Sequence, residues 1–230
     1  MNKLIIFIAA LMLFSSCVNK DKVEQERIKE FEAFLGKEKV EVLDKAVIEF
    51  EKFILDNTVA EDLDSAYVEI LRYLRDNPNS YDSLVIDWET YDKTVEQMKA
   101  VGLWKEIWIK PSKMYFENGE IKYECEYKSD TSSQSEIVQS GSIIYPDIEN
   151  LDIDSLISES KEVRDFYYYG EYFQALEKVK ENDTTLINYL ENVQAVGTSS
   201  SHMIAHAFLY YKLDYTSYFI RRILAIELYY

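Results

Sequence analysis

Cationic residues are the scarce charge in this sequence: 25 Lys and Arg stand against 42 Asp and Glu, for a formal net charge of −17. A chain so acidic does not track nucleic acid, and it is repelled by anionic lipid surfaces. Glycine is sparse as well, at 6 residues, and none of them belongs to a loop of the kind that cradles phosphate. No serine-hydrolase elbow occurs. Only 2 histidines and 2 cysteines are present. Carboxylates are so abundant that composition singles out no pair of them. These absences argue against an enzyme and against a bound cofactor.

What the chain does have begins at its first residue. Lys3 is the sole charge ahead of an apolar run from Leu4 to Phe14. That run has the length of a secretory signal core and falls short of the ~20 residues a membrane-spanning helix needs. It leads into Leu13-Phe14-Ser15-Ser16-Cys17, which resembles the end of a bacterial lipoprotein signal, although Phe14 stands where Leu is usual. The alternative is an ordinary secretory signal followed by a chance cysteine.

The lipoprotein resemblance implies that residues 1–16 are removed and that Cys17 becomes an acylated N-terminus. Two or more acyl chains anchor stably, at about 0.8 kcal/mol per buried methylene. Val18 rather than Asp follows the cysteine, so the resemblance implies outer-membrane residence, facing the periplasm or the cell surface. Residues 17–23 form a short polar tether, similar to that of small lipoproteins from the Bacteroidota. With Cys17 acylated, Cys125 has no intrachain partner. It alternates with apolar neighbours, where a thiol behaves as a small buried hydrophobe rather than a nucleophile.

The rest, residues 24–230, has the 47% apolar content of a folded chain and reads as one mainly helical domain. Ile28, Phe31, Phe34 and Leu35 make a helical stripe that stops at Gly36. Val40, Leu43, Val47, Phe50 and Ile54 recur at steps of three and four, as do Leu63, Tyr67, Ile70 and Leu74 ahead of Asn77-Pro78. Leu84, Trp88, Tyr91, Val95 and Met98 form a third stripe, and Leu103, Trp104, Ile107 and Trp108 an apolar knot. Short connections make the neighbours antiparallel.

A β insertion is expected at about 112–146. Asn118-Gly119 signals a hairpin between Met114–Phe116 and the alternating run Ile121, Tyr123, Cys125, Tyr127. Residues 130–141, rich in Ser, Thr and Gln, read as a loop, and 143–145 as a short third strand. Helical spacing then resumes from Asp154 through Leu156, Val163, Phe166 and Tyr167 to Gly170. Further helices follow over Tyr172–Val179, from about Thr184 to Gly197, from Ser201 to about Leu213, and from Thr216 to the end. The last is apolar all round and is expected to be buried on most sides.

Gly170, Tyr172, Ala175 and Leu176 resemble the second helix of a tetratricopeptide repeat, as do Leu43, Ala46, Val47 and Phe50, and Leu63, Ala66, Tyr67 and Ile70. Leu43 and Leu63 lie 20 positions apart, against a repeat period of 34. A generic array of antiparallel helical hairpins explains the same small residues at helix crossings.

His202 and His206 are spaced i, i+4, as a metal-binding pair on a helix would be. Met203 occupies the position where a zinc protease needs its catalytic Glu, so they remain weak metal candidates only. The 19 tyrosines are the more unusual feature. Tyr167, Tyr168, Tyr169 and Tyr172 form the candidate binding surface, since consecutive tyrosines on a helix cannot all face inward. A second cluster comprises Tyr210, Tyr211, Tyr215 and Tyr218. The sequence therefore suggests a non-catalytic binding or scaffolding protein, held to the membrane by acyl chains, with an envelope protein as partner; binding of a glycan or small ligand through exposed tyrosines is the alternative, and a metal-dependent enzyme the third reading. Replacing Cys17→Ala is expected to abolish labelling by an alkynyl fatty acid and to move the protein from the membrane to the soluble fraction. Retained label would rule out the lipoprotein reading.

Overall fold

Asp62 and Asp87 accept hydrogen bonds from the backbone of Ser65 and Thr90, at 2.9 and 3.3 Å, and so start two of the expected helices. The computed structural model describes residues 22–78, 84–127, 136–143, 152–160, 164–211 and 213–230. The leader, Cys17 and residues 18–21 of the tether lie outside the described residues. Helical residues 22–35 (α1) end at Gly36, whose φ of 88° breaks the chain before α2, Lys37–Asp56. Then come α3 (Leu63–Asp76), α4 (Trp88–Ala100) and the short α5 (Leu103–Ile107).

Among the described residues the second half holds α6 (Ile153–Ser160), α7 (Glu171–Val179), α8 (Thr184–Val196), α9 (Ser201–Tyr211) and α10 (Tyr218–Leu228). The fold is mainly helical with a small antiparallel β insertion. No helix among the described residues is long and apolar enough to cross a membrane.

α10 lies at the centre. It packs against α2 and α9, and buries Phe219, Ile220, Ile223, Leu224, Ala225, Ile226 and Leu228. Phe31 of α1 meets Tyr172 and Phe219 edge-on at 6.3 and 5.6 Å. Charged groups line the α2–α10 seam. Arg222, buried in α10, pairs with Asp44 and stacks 3.3 Å over the Tyr218 ring. Arg221 pairs with Glu51, which also accepts from Tyr67 at 3.2 Å. Glu49 takes the Tyr230 hydroxyl at 2.7 Å. α3 runs along α9, so elements distant in sequence close the body.

The insertion contains β2 (Lys113–Glu117), β3 (Glu120–Tyr127) and β4 (Glu136–Ile143), in the order β2-β3-β4. Asn118 and Gly119 have φ of 54° and 84°, as a two-residue hairpin turn with positive φ at both positions requires. Cys125 is buried on β3, and burial pushes its thiol up to about 12.

Three local expectations are corrected. The third strand begins at Glu136, inside the stretch read as a loop; residues 144 and 145 of the expected strand lie outside the described residues. Its polar composition hid it, because Gln139 is held by a buried hydrogen bond and Gly141 leaves room for the Tyr123 ring. Helical spacing does not continue through 165–166. Asp165–Phe166 (β5) instead pairs with Trp108–Ile109 (β1), and Phe166 stacks on Trp108 at 4.5 Å. Trp88 is exposed rather than inward, because the helix starts only there; Leu84 and Ile86 reach the core from the segment before it.

Asp165 joins these parts. Its buried carboxylate accepts from the Tyr123 hydroxyl and Gln139 amide of the sheet, each at 2.5 Å. From the α8–α9 connection it accepts the Thr198 amide at 3.1 Å and the Thr198 hydroxyl at 2.9 Å. Close approach matters also at Gly170, between β5 and α7, where a Cβ would be driven into the Glu106 backbone carbonyl. Gly170→Ala is expected to lower stability by about 2–3 kcal/mol in urea unfolding. An unchanged midpoint would mean that α5 and α7 are not held at this distance.

Candidate functional site

The tyrosines expected to form a binding surface divide between core and surface. Tyr172 lies on the inward stripe of α7 with Ala175, Leu176 and Val179 and is fully buried. Tyr167 is buried too, its amide donating to Ile107 at 2.8 Å. Tyr168 is half-buried against Phe173. Tyr169 alone of the four is exposed, at 55%. The set Tyr167, Tyr168, Tyr169 and Tyr172 is therefore not a continuous surface, because the turn into α7 faces the helix pair beneath it.

The second cluster behaves differently. Tyr215 is buried and stacked on Tyr67 at 5.6 Å, and Tyr218 bonds Glu32 at 2.9 Å. Tyr210 and Tyr211 project from the end of α9, 74% and 60% exposed, with rings edge-on at 5.2 Å. Met203, 60% exposed, and His206, also exposed, complete a row with Tyr210 at steps of three and four. α9 thus presents an apolar and aromatic outer face. Its inner residues Ile204, Ala205 and Phe208 pack into the core.

Beside that row, and lined in part by its Met203 and His206, a cavity of about 450 Å³ lies between α8, α9 and the end of α10. Asp183 caps α8 by accepting from Leu186 at 3.0 Å and pairs with Arg27 at 2.6 Å. Gly197, with φ 72°, ends α8 and leads to Thr198, which Asp165 holds. That fixes where α9 starts and what it faces. Val193, Ile204 and Phe208 supply apolar walls, and Tyr189, His202 and Glu227 the polar ones.

Glu227 is the unusual member. The Tyr189 hydroxyl donates to its Oε1 at 2.8 Å, while the buried Oε2 has no partner among the described residues. Burial, relieved only in part by the Tyr189 bond, pushes the carboxyl up to about 8. The Tyr189 phenol is raised in turn by burial and by Glu227, as are those of Tyr172 and Tyr168. His202 is half-buried, and its Nδ1 is likewise buried and unpartnered among the described residues.

His202 and His206 lie together on α9 and both line this cavity. Among the described residues no group of three His, Cys, Asp or Glu side chains is placed to hold a metal ion. Glu227 was not singled out in sequence, since one acid among 42 carries no signal. Its place as the one acid in the final helix, Tyr218–Leu228, whose residues are mostly apolar, is the available clue.

A larger groove of about 860 Å³ runs between the start of α3 and the α9–α10 connection. Three of its carboxylates are engaged: Asp62 caps α3, Glu69 accepts from Val59, and Asp214 accepts from Thr216. No protein-family model, curated protein or solved structure matches this chain.

The raised carboxyl makes stability depend on pH. Below about pH 4.5, Glu227 is protonated in both folded and unfolded chains and contributes no difference. As the pH climbs from there to about 8, the unfolded chain ionises while the folded chain keeps the proton, so stability falls. Glu227→Gln keeps the shape and cannot ionise. It is expected to stabilise the protein by about 2 kcal/mol in urea unfolding at pH 7, with the gain vanishing near pH 4.5. An equal gain at both values would sink this assignment.

Proposed function

We propose that this protein is a lipid-anchored, non-catalytic binding module of the bacterial cell envelope, with a protein partner docking on the outer face of α9. The row Met203, His206, Tyr210 and Tyr211 is the observation that carries the reading. Large aromatic and thioether side chains are costly to leave in water, and they concentrate at protein interfaces. The row stands on a convex helix rather than in an aromatic groove, which favours a protein over a stacked glycan. Anchoring rests on the stretch ending at Cys17, which resembles a lipoprotein signal. The surplus of acid, at −17, means that acyl chains rather than a basic patch make the membrane attachment.

A photo-cross-linking residue placed at Tyr210, in the native host, tests the reading. A single discrete adduct is expected in membranes, reduced at least tenfold when Cys17→Ala releases the protein and when Met203→Asp and Tyr211→Asp alter the row. A residue of the same chemistry at Glu30, on the exposed side of α1, serves as control. Absence of any adduct at Tyr210, or the same adduct at both positions, would remove the α9 face as the interface. Capture of glycan instead of protein would favour the alternative ligand class.

A further inference from the structure

The cavity between α8, α9 and α10 opens beside the α9 row and shares Met203 and His206 with it, while its Glu227 wall is independent of the anchor proposed at Cys17. We propose that it is a binding site for a small organic amine, whose ammonium group pairs with Glu227 while its apolar body lies against Val193, Ile204 and Phe208. Three features point to this class of ligand.

The first is the unbalanced chemistry of the wall. A buried carboxyl oxygen without a partner is costly, and a buried carboxylate is stabilised only by a cation or several donors. Glu227 has one donor, Tyr189, on one oxygen. No lysine or arginine lines the cavity. The nearest arginines of α10 are committed elsewhere, Arg222 to Asp44 and Arg221 to Glu51. An ionised Glu227 thus finds no cationic side chain of this chain in the cavity wall, and an incoming ammonium group would supply one.

Size and shape are the second. At ~30 Å³ per water, a volume of about 450 Å³ holds roughly 15 waters, or a molecule of about a dozen heavy atoms. Apolar walls with a few convergent polar groups are what small-molecule sites have in common. His202 and Asn192 on the same wall offer further polar contacts.

Third, the surroundings select for positive charge. The chain carries −17 overall, so its field concentrates cations. The carboxyl of Glu227, pushed up to about 8 by burial, is eased back toward ionisation when an ammonium group arrives. The other titratable groups around it are the phenols of Tyr189, Tyr168 and Tyr172 and the imidazoles of His202 and His206. None of these supplies a permanent positive charge.

The sequence itself provides the reporter. Its 2 histidines both line the cavity, so their imidazole C–H signals in NMR read out occupancy, with His206→Asn assigning them. The purified full chain would be titrated with two amines, tryptamine and hexylamine, and with tryptophol and indole-3-acetate. These last two carry the indole body with a neutral and an anionic head. Saturable shifts of the His202 signals are expected with at least one amine at millimolar concentration. Tryptophol should bind at least tenfold more weakly than tryptamine, and indole-3-acetate not at all.

Glu227→Gln should weaken amine binding at least tenfold and leave tryptophol unchanged. Ala207→Trp, which fills the cavity from α9, should abolish both. The proposal is overturned if neither amine shifts the signals up to about 10 mM, roughly tenfold above a millimolar Kd. It is overturned equally if the neutral or anionic probe binds as well as the amine, if Ala207→Trp leaves binding intact, or if Zn(II) titrates both imidazoles stoichiometrically while the amines are silent.

Discussion

The carboxylate of Asp165 ties together parts of the chain that have no other reason to meet. One oxygen takes the Tyr123 hydroxyl and the Gln139 amide from the three-stranded sheet. The other takes the Phe166 amide and both donors of Thr198, just ahead of α9. A small sheet is marginal in water by itself. Here β2 packs on α6 and β3 and β4 bond the Asp165 carboxylate, and a buried acceptor bonded by five donors is stabilising where a half-satisfied one is not. Gly197 stands close by, where a Cβ would lie 3.0 Å from Asp165 Oδ1, so the approach depends on a residue without a side chain. The group that holds the sheet thus also sets the start of α9, and with it the outer aromatic row and the cavity beside it.

The rest of the body combines an apolar core with polar seams. Phe31, Phe50, Tyr172 and Phe219 fill the centre, and their ring contacts add to the area they bury. Between α2 and α10 the pairs Arg222–Asp44 and Arg221–Glu51 each join one well-covered side chain to one that reaches solvent. Half-exposed pairs of this kind contribute little net stability. Glu227 differs from them in lacking a cationic partner, and that is why it draws attention to a ligand rather than to packing.

Function follows from which faces of the last helices are left over. α3 covers one side of α9 along its length, and α10 another. What stays open is the row from Met203 to Tyr211 and the mouth of the cavity beside it. Both lie on α9, so occupancy of the cavity and docking on the row would act on the same helix.

Sequence alone was enough for most helices, because steps of three and four mark a buried stripe and Gly36, Asn77-Pro78 and Gly197 mark its ends. It was enough for the hairpin as well, since Asn118-Gly119 is a local turn signal. The lipoprotein signal expected over residues 1–16 is a reading of the sequence alone. Other features were decided by contacts between distant residues. β4 is too polar to be recognised as a strand and owes its place to Asp165, 26 positions from Gln139. β5 pairs with Trp108–Ile109 against its own helical spacing. Tyrosines alike in sequence went inside at 172 and outside at 210, because amphipathic residues take whichever environment their helix face meets. Glu227 gained significance only when α8 and α9 closed over it, since desolvation is a property of surroundings that no local pattern records.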